Sequence, residues 1–300
     1  MNAIKIIYFG SGDISTYPLK ALLNDKRYQV IAVVTKPNKA SGRGQLIKST
    51  PVAEIANNHN LKLLQPISPQ DIVEDLTKLK PDIGVLVSYG RIIPSAIIDL
   101  FPFGIINFHP SMLPLYRGPS PIETAIKNGD QSTGLTLMKL TAKMDAGDIY
   151  YQEEIDIDPD ATTPELHKSF GQRGAELIVN NLDKIISGQL TGTPQDESLA
   201  SYCHLIKKSD GQLDPANMTG RECYNRLRAF VKWPKCRLNL EGKEIIITKA
   251  KPLDQFSGDS WPDVIPCAQQ SALQIIEIIS PSSGRRMSLT DYRNGLKNKS

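Results

Sequence analysis

The chain has 300 residues, of which 40% are hydrophobic and 22% are charged, values ordinary for a soluble globular protein. This length exceeds what one modest core needs, so we expect one large domain or two domains. No apolar run reaches the roughly 18 residues of a transmembrane helix, so we expect no membrane partner. The four cysteines share no C-x-x-C spacing. We therefore expect reduced thiols in a cytoplasmic protein rather than a zinc site or a disulfide framework.

The net charge of +3 is unevenly distributed along the chain. Residues 1–199 carry 19 Lys and Arg against 22 Asp and Glu, a net charge of −3. Residues 200–300 carry 16 against 10, a net charge of +6. A basic final third indicates a polyanionic partner only weakly, because a solvated surface with chance asymmetry explains it equally well.

The first 109 residues alternate short runs rich in Ile and Val with amphipathic stretches. We predict strands at "IKIIYFG", "YQVIAVVT", "LKLLQP", "PDIGVLVS" and "GIINFH". We predict helices between them at "STYPLKALLND", "PVAEIANNHN", "SPQDIVEDLTKLK" and "IPSAIIDLF". This alternation predicts an α/β fold: a Rossmann-like, doubly wound and mostly parallel sheet covered on both faces.

The pattern changes after residue 109. A helix is predicted at "PIETAIKNG", strands at "STGLTLMKLT" and "DIYYQEEIDI", and the longest helix at "TPELHKSFGQRGAELIVNNLDKIISG". Residues near 187–210 have the composition of a linker or an extended loop. A helix "GRECYNRLRAFVKWP" follows, and the short β-like runs after it, ending with "RRMSL", predict a small barrel. We therefore predict two domains, residues 1–203, which include the linker from about 187, and residues 204–300.

Two glycine-containing loops follow predicted strands. "FGSGDIS" resembles the opening of a dinucleotide fingerprint, but Ser15 stands at its third glycine position. Thr35 and Lys36 stand where a ribose-binding carboxylate is expected, so a tight turn that lines a pocket fits better than an NAD site. "ASGRGQLIKSTP" is polar and basic through Arg43 and Lys48. It is either a flexible surface loop or a mobile loop that grips an anion beside the pocket.

Asn107 and His109 are the sharpest pair of candidate residues. Residues i and i+2 of a strand share a face, so both side chains emerge together at the carboxyl end of "GIINFH". Ligands of open α/β sheets bind at such strand ends. Asp145 follows in "KMDAGDI", a loop between two predicted strands in which Gly147 permits a sharp turn. By itself, an Asp before a Gly is usually a turn residue.

The chemistry of these three residue types narrows the class of reaction that the site suits. We find no Ser or Cys nucleophile with a matched base, and one His with one Asp provides too few ligands for a metal. Amide and imidazole donors suit a developing oxyanion on a carbonyl carbon. A nearby carboxylate can orient the imidazole and relay a proton. The pattern indicates acyl transfer to an amine that a second substrate supplies.

The motifs "NFHPSMLPLYRGPSPIETAIKNGD", "STG" and "MDAGD" resemble those of the folate-dependent formyltransferases. The loop "SGRGQLIKSTPV" and the tail "KKSDGQLD" with "NRLRAFVKWP" are similar to the branch of that family that formylates initiator methionyl-tRNA. The resemblance covers nearly the whole chain. It implies a Rossmann-like catalytic domain followed by a small OB-like β-barrel domain that binds tRNA. It also implies 10-formyltetrahydrofolate as a cosubstrate, without a metal.

The resemblance also implies roles for individual residues. The implied catalytic residues are Asn107, His109 and Asp145. Those implied to line the folate site are Arg91 and Ile93, through backbone contacts to the pterin, and Ser111, Met112, Leu113 and Pro114. Those implied to contact tRNA are Arg43 and Lys48.

Other functions stay open at this point. The enzyme could formylate a small amine, such as an amino-sugar nucleotide or glycinamide ribotide, or it could hydrolyse 10-formyltetrahydrofolate. A non-catalytic RNA-binding protein on a degenerate scaffold is a further alternative, against which the intact trio of Asn107, His109 and Asp145 argues. We expect a monomer, because no long amphipathic helix is left without a partner.

Overall fold

The computed structural model describes residues 3–41, 46–258, 261–280 and 283–297. The chain divides into two compact units. The first unit comprises Met1–Pro121, Thr133–Ile155 and His167–Cys203, and the second comprises Ile122–Ser132, Asp156–Leu166 and His204–Ser300. Two short stretches from the first 203 residues thus belong to the second unit, which the composition of the sequence did not indicate. The roles predicted for residues 1–203 and 204–300 stay predictions.

The first half of the chain alternates strands and helices as predicted. In chain order the elements are β1 (Ile4–Gly10), α1 (Thr16–Asn24), β2 (Tyr28–Val34), β3 (Lys39–Ser41), β4 (Leu46–Lys48), α2 (Pro51–Asn58), β5 (Leu63–Leu64), α3 (Val73–Leu79), β6 (Ile83–Val87), α4 (Ser95–Ile98), β7 (Ile105–His109), α5 (Pro121–Asn128), β8 (Ser132–Lys139), β9 (Ile149–Asp156) and α6 (Thr163–Ile186).

The main sheet has the strand order β5-β2-β1-β6-β7-β8-β9. The pairs from β5 to β7 are parallel, and β8 pairs with β7 in the antiparallel sense. Every residue of β6 and β7 is buried, as expected for central strands covered on both faces. The Rossmann-like, mostly parallel fold predicted from the sequence is therefore confirmed.

The register of β6 and β7 brings their carboxyl ends to the same edge of the sheet. Val87 pairs with Phe108, the residue before His109. Phe108 packs against α6, where a Cβ on Gly174 would lie 2.6 Å from the phenylalanine ring. Because neighbouring residues of a strand point to opposite faces, Asn107 and His109 face away from α6.

The predicted linker is irregular in backbone but fastened to the first unit. Thr193 forms a β-bridge with Ile149, and Tyr202 forms one with Arg117. Residues 193–203, called the strap below, therefore run along the first unit and contain one 3-10 helical turn at Glu197–Leu199. Composition predicted that this segment has no α-helix or strand, but it did not reveal these attachments.

The second unit contains α7 (Gly220–Ala229), β10 (Cys236–Leu240), β11 (Lys243–Leu253), β12 (Val264–Cys267), β13 (Ser271–Ile279), β14 (Arg286–Met287) and α8 (Leu289–Lys297). Its sheet has the order β10-β11-β13-β12, β14 pairs with β13, and all these pairs are antiparallel. This half-barrel matches the expected small barrel. The helix α8 was missed, although Ser288 and Asp291 form the S-x-x-D pattern of a helix start, and the Asp291 amide donates to Ser288 Oγ at 3.0 Å.

Candidate active site

The side chains of Asn107 and His109 converge on the carboxylate of Asp145. Asn107 Nδ2 donates to Asp145 Oδ1 at 3.3 Å, and His109 Nδ1 lies 3.7 Å from Asp145 Oδ2. The exposed fractions of Asn107 and His109 are only 5% and 4%. The structure therefore brings together the three residues that the sequence singled out, and Asn107 and His109 share a face as predicted.

A backbone carbonyl determines which nitrogen of the His109 ring carries a hydrogen. His109 Nε2 lies 3.0 Å from the carbonyl oxygen of Tyr116. A carbonyl oxygen can only accept, so in this ring orientation Nε2 carries a hydrogen and Nδ1 faces Asp145. With Nε2 protonated, Nδ1 becomes a donor only in the imidazolium form. The Nδ1–Oδ2 distance exceeds that of a hydrogen bond, so Nδ1 can donate to a third group placed beside Asp145.

Asp145 lies in the loop between β8 and β9 and has a left-handed backbone, with a φ of +46°. The Gly118 amide donates to its Oδ2 at 2.8 Å. The chain bends at Gly147, where a sharp turn was predicted, although the left-handed residue of this loop is Asp145. Gly147 is needed for close approach, since a Cβ there would lie 1.8 Å from the carbonyl oxygen of Lys139.

The segment Ser111–Pro114, predicted to line a folate site, follows β7 and is held by side chains of the neighbouring strands. Thr136 Oγ1 donates to the Ser111 carbonyl at 2.7 Å, and Gln152 Nε2 donates to the Leu113 carbonyl at 2.7 Å. Ser111 and Leu113 are buried, whereas Met112 and Pro114 are partly exposed. The segment thus has a fixed backbone and offers Met112 and Pro114 to solvent.

Arg91 and Ile93 lie in the loop after β6, at the sheet edge from which the segment after β7 also leaves. The Ile93 side chain belongs to the core and is 4% exposed, so this residue offers its backbone rather than its side chain. Arg91 Nη1 donates to the carbonyls of Pro66, at 3.2 Å, and Ile67. This guanidinium braces the loop, and the backbone contacts to the pterin implied for both residues stay a prediction.

The two basic residues implied to contact tRNA belong to the segment between β2 and α2. We predicted a flexible surface loop or a mobile anion-binding loop there, and the described residues on either side of positions 42–45 pair as the antiparallel strands β3 and β4, with Lys39 opposite Lys48. Lys48 ends β4 and is exposed. Arg43 lies outside the described residues.

Two backbone groups of the site escaped the sequence analysis: the Tyr116 carbonyl, which binds His109, and the Gly118 amide, which binds Asp145. Every residue carries such groups, so their involvement leaves no signature in residue type. The motif that contains them, "LYRG", was the only available signal.

The Cys203 thiol contacts the same Tyr116 carbonyl as His109. Its Sγ accepts from the Ser120 amide at 3.3 Å and donates to the Tyr116 carbonyl at 3.5 Å. Burial raises the pKa of the Cys203 thiol, so the thiolate form needed for nucleophilic attack is disfavoured. Burial therefore argues against Cys203 as a covalent nucleophile.

The described residues contain no cluster of three or more His, Cys, Asp or Glu side chains that could hold a metal ion. Among the helices that the structure describes, none is both long enough and apolar enough to cross a membrane.

The cluster combines an amide donor, an imidazole and a carboxylate at the buried carboxyl end of strand β7. Asn107 and His109 can stabilise a negative charge that develops on a carbonyl oxygen. Asp145 can accept a proton and pass it on. This arrangement suits acyl transfer in which both the acyl donor and the nucleophile are substrates.

Two family profiles match the chain. The profile described as "Formyl transferase" matches residues 4–182, and the profile described as "Formyl transferase, C-terminal domain" matches residues 205–297. The first match alone spans more than half of the chain and contains the three clustered side chains.

Curated relatives resemble the chain over nearly its full length. A protein of Roseiflexus castenholzii named methionyl-tRNA formyltransferase is 35% identical over 304 aligned residues, which cover 98% of this chain and 97% of the relative. A protein of Sulfurihydrogenibium with the same name is 39% identical over 251 residues, covering 83% of this chain and 80% of the relative.

Solved structures share the fold at lower identity. The N-formyltransferase of Helicobacter canadensis, in complex with folinic acid and dTDP-3-aminofucose, has a TM-score of 0.69 and 21% identity, covering 91% of this chain and 98% of its own. HypX of Aquifex aeolicus, in complex with tetrahydrofolic acid, has a TM-score of 0.67 and 17% identity, covering 97% of this chain. This chain spans about half of HypX, 47% of its length.

Proposed function

The chain belongs to the formyl transferase family, and we propose that it transfers the formyl group of 10-formyltetrahydrofolate to the free amino group of initiator methionyl-tRNA. The observation that carries this proposal is the convergence of Asn107 and His109 on the Asp145 carboxylate without a protein nucleophile. Relatives named methionyl-tRNA formyltransferase at 33–39% identity support the choice of acceptor.

The proposed chemistry follows from the atoms of the cluster. Asn107 Nδ2 and His109 Nδ1, when the imidazole is cationic, donate to the formyl oxygen as the amine attacks its carbon. A bond forms between the formyl carbon and the methionyl nitrogen, and the bond from that carbon to the folate nitrogen breaks. Asp145 takes a proton from the attacking amine and relays it toward the departing nitrogen. No electron acceptor or metal is required.

The proposed folate site uses the two loops that leave the same sheet edge. The backbone at Arg91 and Ile93 would meet the hydrogen-bonding edge of the pterin, and the fixed segment from Ser111 to Pro114 would line the tetrahydrofolate ring. Backbone groups held by a rigid scaffold suit recognition of a flat heterocycle, since little conformational entropy is lost on binding. Solved relatives with folates bound support the choice of cosubstrate.

The proposed tRNA contacts lie in two places. Lys48 and Arg43 would meet the acceptor end, and the net charge of +6 on residues 200–300 would attract the phosphate backbone. The proposed state is a monomer, and the proposed compartment is the cytoplasm, where initiator tRNA receives its methionine.

The test is a formyl-transfer assay with radiolabelled 10-formyltetrahydrofolate, two acceptors (initiator methionyl-tRNA and an amino-sugar nucleotide) and a control without an acceptor. We expect rapid transfer to initiator methionyl-tRNA and negligible release of formate when no acceptor is present. Transfer to an amino-sugar nucleotide but not to methionyl-tRNA would replace this function with that of a small-molecule formyltransferase. Formate release without an acceptor would indicate a hydrolase.

A further inference from the structure

We propose that Gln195, anchored by Arg117, is a positioning residue for the reaction. Its side-chain amide holds the backbone of the loop that carries Asp145, and it thereby sets where the carboxylate stands against His109. This inference rests on the proposed function, since the loop matters only if Asp145 takes part in the transfer. Gln195 lies in the strap, in the stretch that composition alone assigns to a linker.

The loop needs an outside support. Asp145 has a left-handed backbone, which a non-glycine residue keeps only where the surroundings fix it. Gln195 Nε2 donates to the carbonyl oxygen of Asp145 at 2.8 Å and to that of Gly147 at 2.8 Å. One amide group therefore binds the loop at Asp145 itself and two residues beyond it.

The oxygen of the Gln195 side-chain amide is also held by hydrogen bonds. Gln195 Oε1 accepts from Arg117 Nε at 3.0 Å and from Arg117 Nη2 at 2.7 Å. A guanidinium can only donate, so the amide oxygen must face Arg117 and the amide nitrogen must face the loop. The Arg117 side chain is fully buried, and Glu197 Oε1 balances its charge at 3.0 Å.

Arg117 also links this support to the carboxylate. The residue after it, Gly118, donates its amide to Asp145 Oδ2 at 2.8 Å. The backbone of Arg117 is itself bound to the strap, because its amide donates to the Ser201 carbonyl at 2.9 Å and its carbonyl accepts from the Cys203 amide at 2.8 Å. Two consecutive residues thus hold Asp145: Gly118 binds its side chain, and Arg117 holds its main chain through Gln195.

The consequence for catalysis concerns the distance between the Asp145 carboxylate and His109. The Asp145 carboxylate stands 3.7 Å from His109 Nδ1, so both groups can contact the same reacting atoms beside them. A misplacement of about 1 Å at such a site can lower the rate about 10²-fold. Gln195 acts only through Asp145, so its loss should affect turnover far more than substrate binding.

The variant Gln195→Glu isolates this role. Glutamate has the same shape and keeps an acceptor for Arg117, but it places an oxygen against the two loop carbonyls where an NH₂ group donated before. We expect kcat for formyl transfer to fall about 10²-fold, a loss set by mispositioning. The KM for methionyl-tRNA and the dissociation constant for tetrahydrofolate should change less than about threefold, since the binding surfaces are intact.

The neighbouring variant Asp196→Asn is the matched control. Asp196 is exposed, and its carboxylate accepts from the Ser198 amide at 2.9 Å within the strap. Its side chain points to solvent rather than to the loop, so kcat should equal that of the wild type. A loss in Asp196→Asn equal to that in Gln195→Glu would mean that any change in the strap matters, which would overturn a specific role for Gln195.

A double-mutant cycle with Asp145→Asn separates positioning from general damage. If Gln195 acts through Asp145, Gln195→Glu should cost less than about threefold on the Asp145→Asn background. A second loss of about 10²-fold on that background would show that Gln195 acts elsewhere, and the proposal would then be wrong.

The test is completed by a measurement that does not depend on enzyme activity. The Gly118 amide is protected by its bond to Asp145, so Gln195→Glu should raise its hydrogen-exchange rate at least about tenfold while the amides of β1 stay unchanged. Unchanged exchange and unchanged kcat in Gln195→Glu would refute the positioning role while the transferase function stands. A wild-type protein that formylates no methionyl-tRNA would refute the proposed function, and Gly118 exchange would then decide the positioning role by itself.

Discussion

Two parts of the first unit deliver side chains to one cluster: strand β7 with the segment after it, and the loop between β8 and β9. The structure holds these two parts in different ways. Asn107 and His109 stand on a central strand with hydrogen-bonded neighbours on both sides. Asp145 stands on an irregular loop whose carbonyls are held by the side chain of Gln195. The donors are thus fixed by the sheet, whereas the backbone of the loop that carries the carboxylate is held by a side chain that one substitution can change.

This difference separates two kinds of sensitivity. Removing a donor from β7 deletes a functional group but leaves the scaffold in place, because backbone pairing does not depend on that side chain. Changing the loop moves a functional group that is still present. Loss of a group and displacement of a group can therefore be measured separately in the same site.

The largest effect should come from deleting the carboxylate itself. In Asp145→Asn the acceptor for the proton of the attacking amine is lost, and general acid–base catalysis contributes about 10²- to 10⁴-fold. We expect single-turnover formyl transfer to slow by that factor. An unchanged rate would remove Asp145 from proton transfer and leave it a structural residue of the turn.

A smaller loss should follow from moving the loop without deleting a group. In Gly147→Ala the new Cβ would collide with the Lys139 carbonyl, so the loop must shift, and we expect kcat to fall about 10²-fold. The control is Gly295→Ala in α8, where no atom lies within 4 Å of the added Cβ. Equal activity of the two variants would show that the loop tolerates displacement.

The tRNA contacts should give effects of a few fold that depend on salt. In Lys48→Ala the proposed phosphate contact is removed, so we expect KM for methionyl-tRNA to rise several-fold and the slope of log KM against log salt to fall by about one unit. Titration of potassium chloride in the transfer assay measures both. A KM that does not change with salt in the wild-type protein would contradict an electrostatic role for the basic residues.

The smallest effect should come from Cys203→Ser. Its thiol is buried and not a nucleophile, and serine keeps a donor for the Tyr116 carbonyl. We expect kcat to stay within about threefold of the wild type, since neutral hydrogen bonds of similar geometry contribute similarly. A loss of activity in Cys203→Ser, together with trapping of a formyl thioester at Cys203 of the wild-type protein, would overturn direct transfer between the substrates.

The sequence predicted the sheet and the cluster because both depend on local pattern. Burial of strands rich in Ile and Val explains the fold, and strand alternation explains why Asn107 and His109 share a face. Gln195 could not be predicted, since its role depends on a contact with a loop 50 residues earlier in the chain. Helix α8 could have been predicted from the start signal at Ser288, which the β-like run before it obscured.

The most direct test of the account is the single-turnover rate of Asn107→Ala with initiator methionyl-tRNA, beside the matched variant Asn239→Ala on an exposed position of β10. Asn107 is placed as a donor to the formyl oxygen, and removing one such donor costs about 10²- to 10³-fold. The account predicts that loss for Asn107→Ala with folate affinity retained, and wild-type rates for Asn239→Ala. A loss below threefold in Asn107→Ala would contradict the central claim that this residue stabilises the oxyanion.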